Sequence, residues 1–182
     1  MKINTLTGRV AAVAAGALVA FAAFSGPPEG VPLKISYWGA GIETAVDSNQ
    51  DGLLLSLSMT EAKGSFGASS AYITSEFAVD PTVQCPDDGD DYLPLVLFQS
   101  TGVLSFANGD QLYAVGTGGE MCLNLDTGYY SGDAEGFYMG GTGRFAGATG
   151  SYTSTYSGQN LEPFLSGFRS ITGTIEGRVI LP

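Results

Sequence analysis

Residues 140–150 read Gly-Gly-Thr-Gly-Arg-Phe-Ala-Gly-Ala-Thr-Gly, with five glycines and one phenylalanine between segments rich in tyrosine and threonine. Glycine adopts positive φ without steric penalty and lets backbones approach closely, so a helix is a poor reading of this stretch. The spacing of Gly140, Gly141, Gly143, Gly147 and Gly150 predicts a tight structural turn, with Phe145 folded back onto a core. On either side the pattern changes to the period-2 alternation of strands, at residues 129–139 and 151–156.

The same alternation extends outward from the turn. Residues 53–60 place Leu53, Leu55, Leu57 and Met59 on one face and Leu54, Ser56, Ser58 and Thr60 on the other. Ala71, Ile73, Phe77 and Val79 oppose Tyr72, Thr74 and Glu76 in the next run. Further strands read at 93–98, 103–106, 111–115 and 121–123, and a last long one at 170–180. In that last strand Ile171, Ile175 and Val179 share a face with Gly173 and Gly177, opposite Thr172, Thr174, Glu176 and Arg178. Ala107-Asn108-Gly109-Asp110 carries the Asn-Gly signal of a hairpin between alternating runs. Eight or nine closely spaced strands leave no room for crossover helices. The prediction is an all-β, calycin-type, eight-stranded antiparallel up-and-down barrel without core helices, because closure removes exposed sheet edges. Alternation defines two faces of each strand but not which one turns inward, since both carry apolar residues.

Lys2 and Arg9 precede an uninterrupted small and apolar run at 10–24, followed by the small residues of Ala23-Phe24-Ser25. This is the pattern of a cleavable signal peptide over 1–25, and the run is shorter than the roughly 20 apolar residues that span a bilayer. The expectation is a secreted or periplasmic protein with a single barrel domain over 26–182 and no membrane segment after cleavage. That domain carries five basic residues against 18 acidic ones, a net charge of −13. Such a surface repels phosphate backbones and anionic headgroups, which excludes nucleic-acid binding and polybasic membrane docking. In an exported chain Cys85 and Cys122 predict one disulfide, which would pin the acidic stretch 84–91 to the barrel wall.

The chain has no histidine, so a Ser-His-Asp triad, a histidine general base and a histidine-rich zinc site are excluded. No cofactor is expected. Residues 47–52 reproduce the first half of a calcium loop through Asp47, Asn49, Asp51 and Gly52. Its twelfth position is Ser58 instead of a bidentate Glu, and Asp and Asn also build ordinary turns. Glu76, Tyr113, Glu135, Tyr138 and Arg178 are candidates for orienting a ligand in a barrel lumen; the alternative for the charged ones is an outward polar face.

The run at 140–150 resembles the corresponding segment of dirigent proteins and allene oxide cyclases, which share a closed β-barrel. The resemblance implies a lumen open at one end, a tendency to form homodimers or homotrimers and, for some bacterial relatives, cyclisation of a reactive polyene inside the barrel. It assigns no catalytic residue to this chain. Three functions follow as alternatives: binding of a small hydrophobic or aromatic molecule, cyclisation or isomerisation by confinement with one carboxylate or tyrosine, and a structural or surface-interaction module with a filled barrel.

Overall fold

The structure is a computed structural model that describes residues 29–44, 52–86, 91–161 and 167–182. The signal segment and the Asp47/Asn49/Asp51 loop lie outside the described residues. Nine strands follow in chain order: β1 (Val31–Thr44), β2 (Leu54–Gly64), β3 (Gly67–Val79), β4 (Tyr92–Phe106), β5 (Gln111–Gly118), β6 (Glu120–Asn124), β7 (Tyr129–Gly141), β8 (Thr149–Asn160) and β9 (Gly167–Ile180). The sheet order is β3-β2-β1-β9-β8-β7-β5-β4-β6, and the further pairings β3–β4 and β7–β6 close it into a barrel. β5 and β6 lie end to end between β4 and β7, so the nine strands make the eight staves of a closed antiparallel barrel.

One departure from the sequence reading has a clear physical cause. Runs 93–98 and 103–106 belong to one strand, β4, with a bulge in its pairing to β3: Glu76 faces Gln99 while Phe77 faces Leu97, leaving Phe98 unmatched and exposed. Inward parity therefore switches along β4, from Leu95 and Leu97 to Ser100, Leu104 and Phe106. The extra residue breaks the alternation that a sequence scan follows. A second switch separates the inward Leu112 and Ala114 of β5 from the inward Met121 and Leu123 of β6, at Gly118-Gly119. The sequence reading names no strand at 31–44, although Leu33, Ile35 and Tyr37 alternate with Lys34 and Ser36; there β1 pairs with β9 over 13 positions and completes the closure.

One end of the barrel is plugged by the segment that decides the fold. Gly143–Phe145 form a 3-10 turn, and Gly140, Gly143, Gly147 and Gly150 take positive φ. The turn drops Phe145, fully buried, against Phe106 and Phe66, with ring centroids 4.9 and 5.3 Å away. Arg144 lies over all three rings at 4.9–5.3 Å, donates to the Phe66 carbonyl at 3.2 Å and faces the Asp110 carboxylate at 3.4 Å. The Asn-Gly hairpin joins β4 to β5 beside this plug; there the Asn108 side chain donates to Asp110 Oδ2 at 2.7 Å.

At the other end a second core gathers Phe77, Leu95, Leu97, Met121, Leu123 and Tyr130. Cys85 is bonded to Cys122 on the outer side of β6 with Cα atoms 5.6 Å apart, so the segment after β3 is fastened to the wall. Closing this 37-residue separation stabilises by about 4 kcal/mol through lost chain entropy in the unfolded state.

Phe145→Ala is expected to cost about 3–5 kcal/mol, since it removes the centre of the plug, where the surrounding strands have little freedom to collapse. A urea denaturation midpoint unchanged from wild type would show that this end is not held by that ring.

Candidate functional site

The inner surface is not the leucine face of β2. Ser56, Ser58 and Thr60 point into the barrel, while Met59 on the opposite face is 69% exposed. The inward serines face a buried cation. Arg169 of β9 is 4% exposed and its Nη2 donates to the hydroxyls of Ser56 and of Ser58, the latter at 3.0 Å. Its guanidinium also sits 5.1 Å from the centre of the Tyr130 ring. Charge on this side chain is tolerable at such burial because hydroxyl dipoles and a ring face replace part of its hydration.

Between this polar belt and the phenylalanine plug lies an internal cavity of about 90 Å³. Its wall combines aliphatic groups, including Ile73, Leu104, Ile171 and Ile175, with the hydroxyls of Ser58, Ser75, Ser100 and Ser154 and four tyrosines, Tyr37, Tyr138, Tyr152 and Tyr156. The tyrosines leave the space open because of what stands opposite them. Tyr37 pairs with Gly173 across β1 and β9, and a Cβ on Gly173 would lie 2.5 Å from the Tyr37 hydroxyl. Tyr130 pairs with Gly158 in the same way, with 2.4 Å between the added carbon and the hydroxyl. Tyr152 opposite Gly136 and Tyr156 opposite Gly132 repeat the arrangement. Each ring thus lies across the bare backbone of its neighbour and not along the barrel axis.

Not every hydroxyl here is engaged. Tyr37 Oη and Ser154 Oγ share a 3.1 Å hydrogen bond, Ser75 donates to Ser100 at 3.1 Å, and Tyr130 donates to the Ser170 carbonyl at 2.6 Å. The hydroxyls of Tyr138 and Tyr156 are buried and have no hydrogen-bond partner among the described residues. Burial pushes the Tyr37 phenol up, against the opposing effects of Ser154 and Arg169. It also raises Tyr152 to about 12, helped by Tyr37, and raises Tyr138 and Tyr156 as well. All four are therefore protonated hydroxyls at neutral pH.

The candidates from sequence fall on both sides of the wall. Tyr138 lines the cavity. Glu76 lies outside and accepts from the Gln99 amide. Tyr113 is also outside, donating to Gln111 Oε1 at 3.1 Å, and Arg178 at the outer surface donates to the Gly30 carbonyl at 2.9 Å. Glu135 borders a shallow outer hollow with Phe137 and Glu176; Glu176 is 2.6 Å from Lys34. Among the described residues no carboxylate lines the cavity. Arg169, Tyr152 and Tyr156 were not singled out by sequence reasoning. The usable signal was the repeated glycine two or four residues from a tyrosine, which marks ring-over-backbone packing once the register is known.

Comparison with family models, with curated proteins and with solved structures yields no match to this chain.

Two expectations follow. Gly173→Ala and Gly158→Ala should each cost about 1–3 kcal/mol by overpacking, because the added methyl meets both a tyrosine and neighbouring backbone; thermal melts that match wild type would contradict the packing. The lumen phenols should also govern alkaline stability. An unfolded tyrosine ionises near 10, below its folded value here, so their contribution is complete below pH 10 and is lost as pH rises towards about 12. Absorbance of tyrosinate should therefore show these phenols ionising together with unfolding; free titration near pH 10 in the folded protein would contradict their burial.

Proposed function

We propose that this barrel is an exported binder of a small molecule, holding one compact apolar or aromatic guest in its lumen. The observation that carries the reading is the cavity itself, kept open by tyrosines that lie flat across glycines where a filled barrel would send aliphatic side chains to the axis. Its aromatic and aliphatic wall suits a ring, and a few placed hydroxyls supply orientation. At about 90 Å³ the cavity is below the roughly 300–1,000 Å³ usual for drug-sized ligands and below the roughly 150 Å³ that takes up benzene, so the guest is at most one ring and the wall must yield to admit it. The disulfide is compatible with an extracytoplasmic site of action. The likeness of residues 140–150 to dirigent and allene oxide cyclase barrels supports a lumenal guest as well. The outward set of Trp38, Ile42, Met59, Tyr72 and Phe168 is the surface on which a homodimer or homotrimer would close.

The small volume also favours a second reading, a structural barrel whose remaining space holds about three waters. The cyclase alternative keeps only tyrosine as its acid or base, since the carboxylates Glu76, Glu135 and Glu176 are all on the outer side.

Native and denaturing mass spectrometry of the protein recovered from its export route separates these readings. Binding predicts an added mass that is lost on denaturation and that identifies the guest. A bare mass, together with no thermal shift from benzene, toluene or phenol, would establish the structural barrel instead.

A further inference from the structure

The outer wall carries a second site, independent of any lumenal guest, and we infer that it binds a neutral oligosaccharide. An open hollow of about 810 Å³ extends over β1–β5 beside Trp38, the chain's only tryptophan. Register fixes what this hollow presents. One outward row runs Trp38, Glu61, Ser70, Ser105 and Gln111, each the direct cross-strand partner of the next. The adjacent outward row runs Ala40, Met59, Tyr72 and Val103 in the same way. Beyond its tryptophan the first row is polar, whereas the second is apolar. Neighbouring strands lie about 4.8 Å apart, so the half-exposed rings of Trp38 on β1 and Tyr72 on β3 are rooted about 10 Å apart across the sheet.

The class of ligand follows from these two rows and from charge. A pyranose ring has C–H faces that lie against aromatic rings and a hydroxyl edge that exchanges hydrogen bonds, so it matches an apolar row beside a polar one. Glu61 sits between Trp38 and Ser70 with no ion-pair partner among the described residues. A dry protein contact would bury that carboxylate without a cation, at a high cost in solvation. A second copy would also bring the same net charge of −13 over 26–182. Of the outward set on which copies would close, Ile42 and Phe168 lie outside the hollow. A sugar hydroxyl donates to the carboxylate and leaves its other side in water, whereas an anionic polymer is repelled by Glu61 and by the acidic surface. The volume falls within the roughly 300–1,000 Å³ of ordinary ligand sites, and the separation of the two rings calls for a chain of at least two sugar units.

Because no other tryptophan is present, Trp38 emission reports on this hollow alone. The exported protein is titrated with the tetrasaccharides of cellulose, xylan, mannan, chitin and amylose, with glucose and tetragalacturonate as controls. At least one neutral tetrasaccharide should shift the emission to the blue and bind roughly tenfold or more tightly than glucose, while tetragalacturonate leaves it unchanged. By calorimetry, Trp38→Ala and Tyr72→Ala should each weaken that binding about five- to tenfold, and Trp38→Phe should recover most of the loss. Both rings are solvent-exposed, so the variants should melt as wild type does. Binding of none of the five, binding unchanged in both alanine variants, or tetragalacturonate bound as tightly would overturn the inference. A dimer or trimer in sedimentation that Trp38→Ala or Tyr72→Ala takes apart would give this face to a second copy and overturn it too. Each of these failures leaves the lumenal reading standing, since the mass of a lumenal guest is measured separately.

Discussion

An eight-stave barrel has a fixed interior, and every inward side chain competes for it. Here the competition is resolved by pairing each large ring with the absence of a side chain directly across the ladder: Tyr37 with Gly173, Tyr130 with Gly158, Tyr152 with Gly136, Tyr156 with Gly132. The rings spread along the wall, where they shield backbone hydrogen bonds and pack against one another, as Tyr138 and Tyr152 do at 5.3 Å. Closure through β1 and β9 depends on this, because Tyr37 and Gly173 occupy the seam. A cavity remains at the axis because the bulk has been moved to the perimeter.

The two ends of the barrel solve different problems. The plug formed by Phe66, Phe106 and Phe145 is apolar, and Arg144 caps it by stacking its planar cation on ring faces. Stacking of this kind adds specificity to what would otherwise be a generic apolar cluster. Towards the other end Arg169 is bonded to Ser56 and Ser58 beside the second apolar core, over the ring of Tyr130. Burying that cation costs solvation, and only a lumen with inward hydroxyls on β2 could accept it.

Much of the fold was legible in residue order. The glycine run at 140–150, the Asn-Gly hairpin and the alternation of β2, β3, β7 and β9 reflect local constraints: positive φ for the turns and period-2 pleating for the strands. The disulfide was legible from its two cysteines. The continuity of β4 was hidden by the bulge at Phe98, while β5 and β6 were legible as the two runs that they are, with the inward parity switching at Gly118-Gly119. A bulge adds a residue to one strand only, so its effect is visible in the register and not in the strand's own sequence.

Sequence alone determined that this chain is all-β, that tight turns stand at Asn108-Gly109 and at 140–150 and that histidine chemistry is absent, because each of these depends on residue type and spacing within a short window. Tertiary structure alone decided which face of each strand is inside. It turned Ser56, Ser58 and Thr60 inward and Met59 outward, put Glu76, Tyr113, Glu135 and Arg178 on the outer side of the wall, and left Tyr138 at the cavity. The reason is that a strand's two faces are set by registry with both neighbours around the closed ring. Only there does a buried arginine find its serines and a tyrosine find the glycine that makes room for it.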